Sequence, residues 1–119
     1  MKPPALTVPL DMAQMRSTAK IAVSALRAMA NEDRLLLLCQ LRLGEKSVSE
    51  LEQLLEIRQP TLSQQLGVLR TEGLVNTRRD GKRIFYSVDD PRVMGLLTAM
   101  YQGYCPDLTT FPEPSHVAD

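Results

Sequence analysis

Two short helical stretches run straight into two β-prone stretches between residues 49 and 88, and few folds accommodate that order in so short a span. "SVSELEQLLE" carries Ser49 followed three residues later by Glu52, the pattern of a capping box that opens a helix. "QPTLSQQLGVLR" then repeats Leu62, Leu66 and Leu69 at helical spacing, with Pro60 in the first turn and Gly73 as the stop. Beyond Gly73, "LVNTRRDGKRIFYSV" places two β-prone runs around Asp80-Gly81, a local hairpin signal. The side of the second helix opposite its leucines carries Thr61, Gln64, Gln65 and Val68. Glu and Lys usually solubilise an exposed face, so a face of amides and a hydroxyl is expected to meet something other than water.

The flanking residues extend this helical core. Met12, Met15, Ala19, Ala22, Leu26 and Met29 recur at alternating steps of three and four, which predicts an amphipathic helix with a narrow apolar seam. Asn31 reads as the N-cap of a second helix, with Glu32 and Asp33 in the first turn, where the helix dipole favours anions. "RLLLLCQLRLG" is apolar nearly all round, so this helix should be central and end at Gly44. In the last helix, Val93, Leu97, Met100 and Tyr104 form one stripe, and Pro106 is the stop. Six of the eight prolines lie near the ends, so residues 1–11 are expected to be irregular and 106–119 disordered. Residues 12–105 then make one domain, mainly α with a small β-hairpin: a winged helix-turn-helix of about five helices and a two-stranded wing.

In such a unit the second helix of the pair enters the major groove of DNA. Gln64 and Gln65 suit base reading, because an amide pairs bidentately with adenine N6 and N7. Thr61 and Ser63 suit phosphate or base contacts near the helix N-terminus, where free N–H groups also favour phosphate. Val68 either touches a thymine methyl or packs under the hairpin. The 119-residue chain has no net charge, but residues 58 to 83 hold six basic side chains against two acidic ones. Such a block is the footprint of a polyanion-binding surface. Within it, Arg78, Arg79, Lys82 and Arg83 bracket the hairpin tip, placed to grip phosphates or enter a minor groove.

Other classes find little support. The start has no continuous apolar core of signal-peptide length, and the longest apolar run is Leu35 to Cys39, so the expectation is a cytoplasmic protein with no membrane partner. An enzyme is not expected: there is no Cys-x-x-Cys, no Cys-His pairing inside the folded region and no Gly-rich phosphate loop. No cofactor is implied. Without Trp, and with only Phe85 and Tyr86 near the basic surface, the chain is a poor base-stacking platform for RNA.

The stretches "ALRAMANEDRLLLLCQL", "SVSELEQLLEIRQPTLSQQLGVLRTEGLV" and "TRRDGKRIFYSV" together resemble the ArsR family of dimeric bacterial repressors over residues 12 to 105. The resemblance implies a homodimer built from the first and last helices, facing a near-palindromic operator in double-stranded DNA. Relatives often carry Ser before the Gln at the start of the reading helix; here neither Arg58 nor Gln59 is a favoured cap, and Arg58 is expected to reach a phosphate. Many members sense metals through a Cys-x-Cys pair in a central helix or a His/Asp set in the last helix. This chain has neither, and its one histidine, His116, lies in the tail, so no metal ligands are assigned.

The two cysteines, Cys39 in "LLLLCQL" and Cys105 in "MYQGYC", match in position the dithiol subgroup typified by BigR, SqrR and HlyU. That likeness implies that the pair responds to an oxidant or to reactive sulfur species such as persulfides, by a disulfide or a bridge of several sulfurs. Taken singly, Cys39 reads as a small buried hydrophobe. Cys105 sits at an accessible helix end, where the dipole disfavours a thiolate. A metal-responsive repressor and a winged-helix regulator without thiol sensing are the alternatives.

Overall fold

The computed structural model describes residues 11–105; the tail expectations for 1–10 and 106–119 lie outside these residues. Helix α1 spans Met12–Met29, opened by Asp11, whose Oδ1 accepts from the Ala13 N–H at 3.2 Å. Helix α2 spans Glu32–Arg42, and Asn31 caps it as the sequence predicts, its Oδ1 accepting from the Arg34 N–H at 3.1 Å. Strand β1 (Lys46–Ser47) leads directly into helix α3 (Val48–Leu55), and helix α4 spans Thr61–Thr71. Strands β2 (Asn76–Asp80) and β3 (Arg83–Ser87) form the hairpin, and helix α5 runs from Pro91 to Tyr104.

Helix α2 is central, touching α1, α3, α4 and α5. Its Leu37, Leu38 and Leu41 are buried with Leu51 of α3, Leu62, Leu66 and Leu69 of α4, and Val93 and Leu97 of α5. The leucine stripe of α4 thus faces inward as its spacing requires, which turns Ser63, Gln64 and Val68 outward.

Four local expectations are corrected. The capping box belongs to Ser47 and Glu50, not to Ser49 and Glu52: the Ser47 N–H donates to Glu50 Oε1 at 2.7 Å, and the Glu50 N–H donates to Ser47 Oγ at 3.2 Å. Both Ser-x-x-Glu spacings fit the pattern, and pairing of Ser47 with Phe85 selects the first by holding Ser47 extended. That pairing also makes β1 a third strand, giving the order β1-β3-β2 where two strands were expected. Pro60 is the N-cap residue of α4 rather than a residue of its first turn. The hairpin loop is Gly81-Lys82, because Asp80 already pairs with Arg83. Gly81 supplies the positive φ of +64° that a two-residue loop with glycine first demands.

Helix α4 ends in a Schellman arrangement, in which Gly73 (φ +76°) donates to the Arg70 carbonyl and Leu74 to that of Leu69. That close directs the chain into β2, so reading helix and wing share a fixed corner.

Candidate nucleic-acid interface and thiol pocket

The α3-turn-α4 unit is closed by Glu56, a left-handed residue at φ +56° that ends α3. Gln59 then caps α4 from one residue outside it: its Oε1 accepts from the Ser63 N–H at 3.2 Å and from the Ser63 hydroxyl at 2.6 Å. The start of α4, which has no favoured cap residue, is therefore closed by this amide, and Arg58 beside it is exposed. The contact also commits the Ser63 hydroxyl hydrogen inside the protein, leaving only lone pairs for another partner.

On the same helix, Gln64 is exposed, Thr61 and Gln65 are half-buried, and Val68 is 37% exposed. The Gln65 amide is held by α2, with its Oε1 accepting from Arg34 Nη1 at 2.8 Å. Arg34 also donates to the α1 carbonyls of Ala28 (2.6 Å) and Arg27 (3.3 Å), where the helix end is rich in negative partial charge.

Strand alternation divides the wing. Arg78, Phe85 and Arg83 lie on one face, Arg79 and Ile84 on the other, and Lys82 sits at the tip. The guanidinium carbons of Arg78 and Arg83 lie 4.5 and 4.8 Å from the Phe85 ring centre. Arg78 is bidentate to Glu45, with contacts of 3.0 and 2.8 Å. This pair holds the Glu45 carboxyl below its ordinary range. The four basic residues do not form one cluster: Arg78 is engaged by Glu45, whereas Arg79, Lys82 and Arg83 form no salt bridge among the described residues.

The two thiols come together at the opposite end of α2. Cys39 on α2 and Cys105, the C-cap residue of α5, are both free and half-buried. They line one cavity of about 490 Å³ with Leu35, Leu43, Leu55 and Met100, beside Gln40 and Tyr101. Burial pushes the Cys39 thiol up; the Arg42 cation one turn away pulls it down, and the neighbouring Cys105 adds a smaller upward push. The Tyr101 hydroxyl is likewise raised, first by burial and then by Cys105, to which it is hydrogen-bonded. Arg42 is itself only 3% exposed, its Nε donating to Thr98 Oγ1 of α5 at 3.0 Å. No sequence motif marks Arg34, Glu45 or Arg42, because each acts through a contact far along the chain, and Gln59, which is not a favoured cap type, closes α4 from outside the usual cap position. Among the described residues, no group of three or more His, Cys, Asp or Glu side chains is placed to hold a metal ion, and no helix is long and apolar enough to cross a membrane.

A helix-turn-helix followed by a basic hairpin defines a winged-helix protein of the DNA-binding class. Residues 31–77 match the model of the bacterial regulatory protein, arsR family. The chain is 48% identical over 98 residues to the biofilm growth-associated repressor of Agrobacterium fabrum, covering 82% of each protein. It superposes on the transcriptional repressor BigR from Xylella fastidiosa with a TM-score of 0.74 at 44% identity, covering 81% of this chain and 98% of that one. Reduced HlyU from Vibrio cholerae gives 0.73 at 42% identity, covering 77% and 97%. The chain belongs to the ArsR family, on the BigR and HlyU side of it. It is a transcriptional regulator and not an enzyme.

Proposed function

We propose that this regulator is a homodimeric repressor that binds a near-palindromic operator in its reduced form and leaves it when Cys39 and Cys105 become covalently joined. The observation that carries the reading is the placement of both thiols in one apolar cavity between α2 and α5. Helix α2 also packs against the reading helix α4, so a bond that pins α2 to α5 acts on the element beneath the DNA-reading face. The names of the relatives support repression, since both the Agrobacterium protein and BigR are called repressors.

The inducer in this reading is a persulfide, R–S–SH. A Cys39 thiol takes its outer sulfur to give Cys39–S–SH and R–SH. Attack by the Cys105 thiol on the inner sulfur, the one bonded to the Cys39 side chain, then yields a disulfide and releases hydrogen sulfide. If both residues have first become persulfides, the products are a trisulfide and hydrogen sulfide. A hydroperoxide reaches the plain disulfide instead: Cys–SH and R–O–OH give Cys–SOH and R–OH, and the second thiol displaces water.

For the DNA side, Gln64, Gln65 and Thr61 read or position on the groove. Arg79, Lys82 and Arg83 hold phosphates, as does Arg78 once released from Glu45, and Ser63 supports the helix start. The dimer is supported by the α1 face, where Met12, Met15, Val23 and Leu26 stand 42–60% exposed in the single protomer. Coupling of about 1–3 kcal/mol is enough to change operator occupancy from several- to a hundredfold. The test is operator binding by Cys39→Ser and Cys105→Ser before and after persulfide. Retained binding without release supports the switch. Loss of binding in untreated Cys39→Ser assigns that residue to packing.

A further inference from the structure

We propose that Arg34 is a positioning residue that sets which base Gln65 recognises, orienting its amide so that the NH2 group leads and guanine is favoured. The inference rests on the DNA-reading role of α4 and goes beyond it. Arg34 extends from α2, and its guanidinium is anchored at two points on the end of α1, the Ala28 and Arg27 carbonyls. Its remaining nitrogen, Nη1, donates to Gln65 Oε1 at 2.8 Å. A guanidinium has no acceptor, so the Gln65 amide can face it only with its oxygen. The orientation of this amide is thereby fixed by chemistry, and its NH2 group has no protein partner among the described residues.

Bidentate recognition of adenine requires an amide that accepts from N6–H and donates to N7. With one of the two lone pairs on its oxygen taken by Arg34 and the amide held in that orientation, Gln65 presents its N–H groups to the groove ahead of its oxygen. That is the chemistry Arg and Lys bring to guanine, whose N7 and O6 both accept. Gln64, which makes no side-chain hydrogen bond among the described residues and is exposed, keeps the two-way capacity that suits adenine. Two adjacent glutamines therefore read different bases, and the difference comes from a residue that stands outside the reading helix.

The test selects duplexes from a randomised pool with the full chain carrying wild-type sequence, Gln65→Ala, Arg34→Met or Arg34→Lys, at one salt concentration. Thermal unfolding is followed on each protein. The base pair under Gln65 is the one whose preference collapses in Gln65→Ala. At that pair the wild type is expected to select guanine, and Arg34→Met to lower the guanine-to-adenine ratio by about tenfold or more, the scale of one good base contact. Arg34→Lys, which keeps a cation but not the fork, falls between them and answers the question if Arg34→Met unfolds. A general loss of affinity would leave the ratio alone, so the readout is blind to a merely structural role. Adenine selected by the wild type, or an unchanged ratio in both Arg34 variants, overturns the proposal while α4 remains the reader. No altered pair in Gln65→Ala removes the base-reading role itself.

Discussion

A guanidinium that already grips a carboxylate contributes less to phosphate binding than one that does not. Arg78 holds Glu45 through two contacts, and its strand neighbour Arg79 has no such partner among the described residues. Replacing Arg79 or Lys82 by Ala is expected to weaken DNA binding for all sequences, lowering the slope of log affinity against log salt by about 0.9 for each phosphate no longer neutralised. Arg78→Ala should change the slope less, and Glu45→Gln should tighten binding by freeing Arg78. Titrations at several salt concentrations check all four. The basic wing was legible in the sequence; its division into faces, and the hold of Glu45 on one member, depend on strand register and on a contact 33 residues away. Cys39 has its own prediction at this scale. Burial favours its neutral thiol, so at a given pH its thiolate fraction is below that of an exposed cysteine. In Cys105→Ser protein, its alkylation rate should still be rising with pH where an exposed thiol has levelled off. Arg42→Met, which removes the cation that pulls the thiol down, should move that rise to higher pH. Levelling at the ordinary thiol range in both proteins would contradict the assignment.

At the scale of elements, five helices and a hairpin were legible because each carries its own periodicity or turn signal, supported in places by a cap or a stop. The errors fall where tertiary contacts choose between local patterns of equal quality. Ser47 and Ser49 each precede a glutamate by three residues, and only the pairing of β1 with β3 decides between them. Ser47→Ala should therefore cost about 1–2 kcal/mol of stability. Ser49→Ala, at an exposed position, should stay within about 0.5 kcal/mol in the same urea denaturation series. The turn of the helix-turn-helix contains a second device that no motif announces, the left-handed Glu56. Glycine adopts that conformation without the steric penalty of a Cβ, so Glu56→Gly should raise stability by about 0.5–1 kcal/mol after the loss of chain entropy. A lower denaturation midpoint would show that the Glu56 side chain contributes more than the turn costs.

Across the whole molecule, the apolar seams of the first and last helices are covered to different degrees within one protomer. On α5, Val93 and Leu97 are buried in the protomer core, Met100 packs partly buried against it and Tyr104 is 82% exposed, so the predicted stripe runs from the core to the surface. On α1 only Ala28 and Met29 are buried. The rest of its apolar face, with Leu96 of α5 at 40% exposure, is what a second copy would cover. The sequence pattern marked both helices as amphipathic but carried no sign of which surface belongs to the protomer and which to its assembly. Leu26→Glu is expected to shift sedimentation from dimer to monomer and to weaken operator binding together, since two reading heads are needed for a two-part operator. A monomeric wild-type protein would remove the dimer from the account.

In the proposed switch, one chemical event in the α2–α5 cavity ends DNA binding, and intact-mass spectrometry on samples drawn from a single operator-binding titration tests this. Reduced protein is mixed with operator duplex, a persulfide is added, and mass and DNA occupancy are followed in the same aliquots. A Cys39–Cys105 bridge, with each thiol having lost its hydrogen and with or without added sulfur, is expected to accumulate in step with release of the duplex. Full bridging on protein that stays bound, or release from protein whose thiols are unmodified, would contradict it.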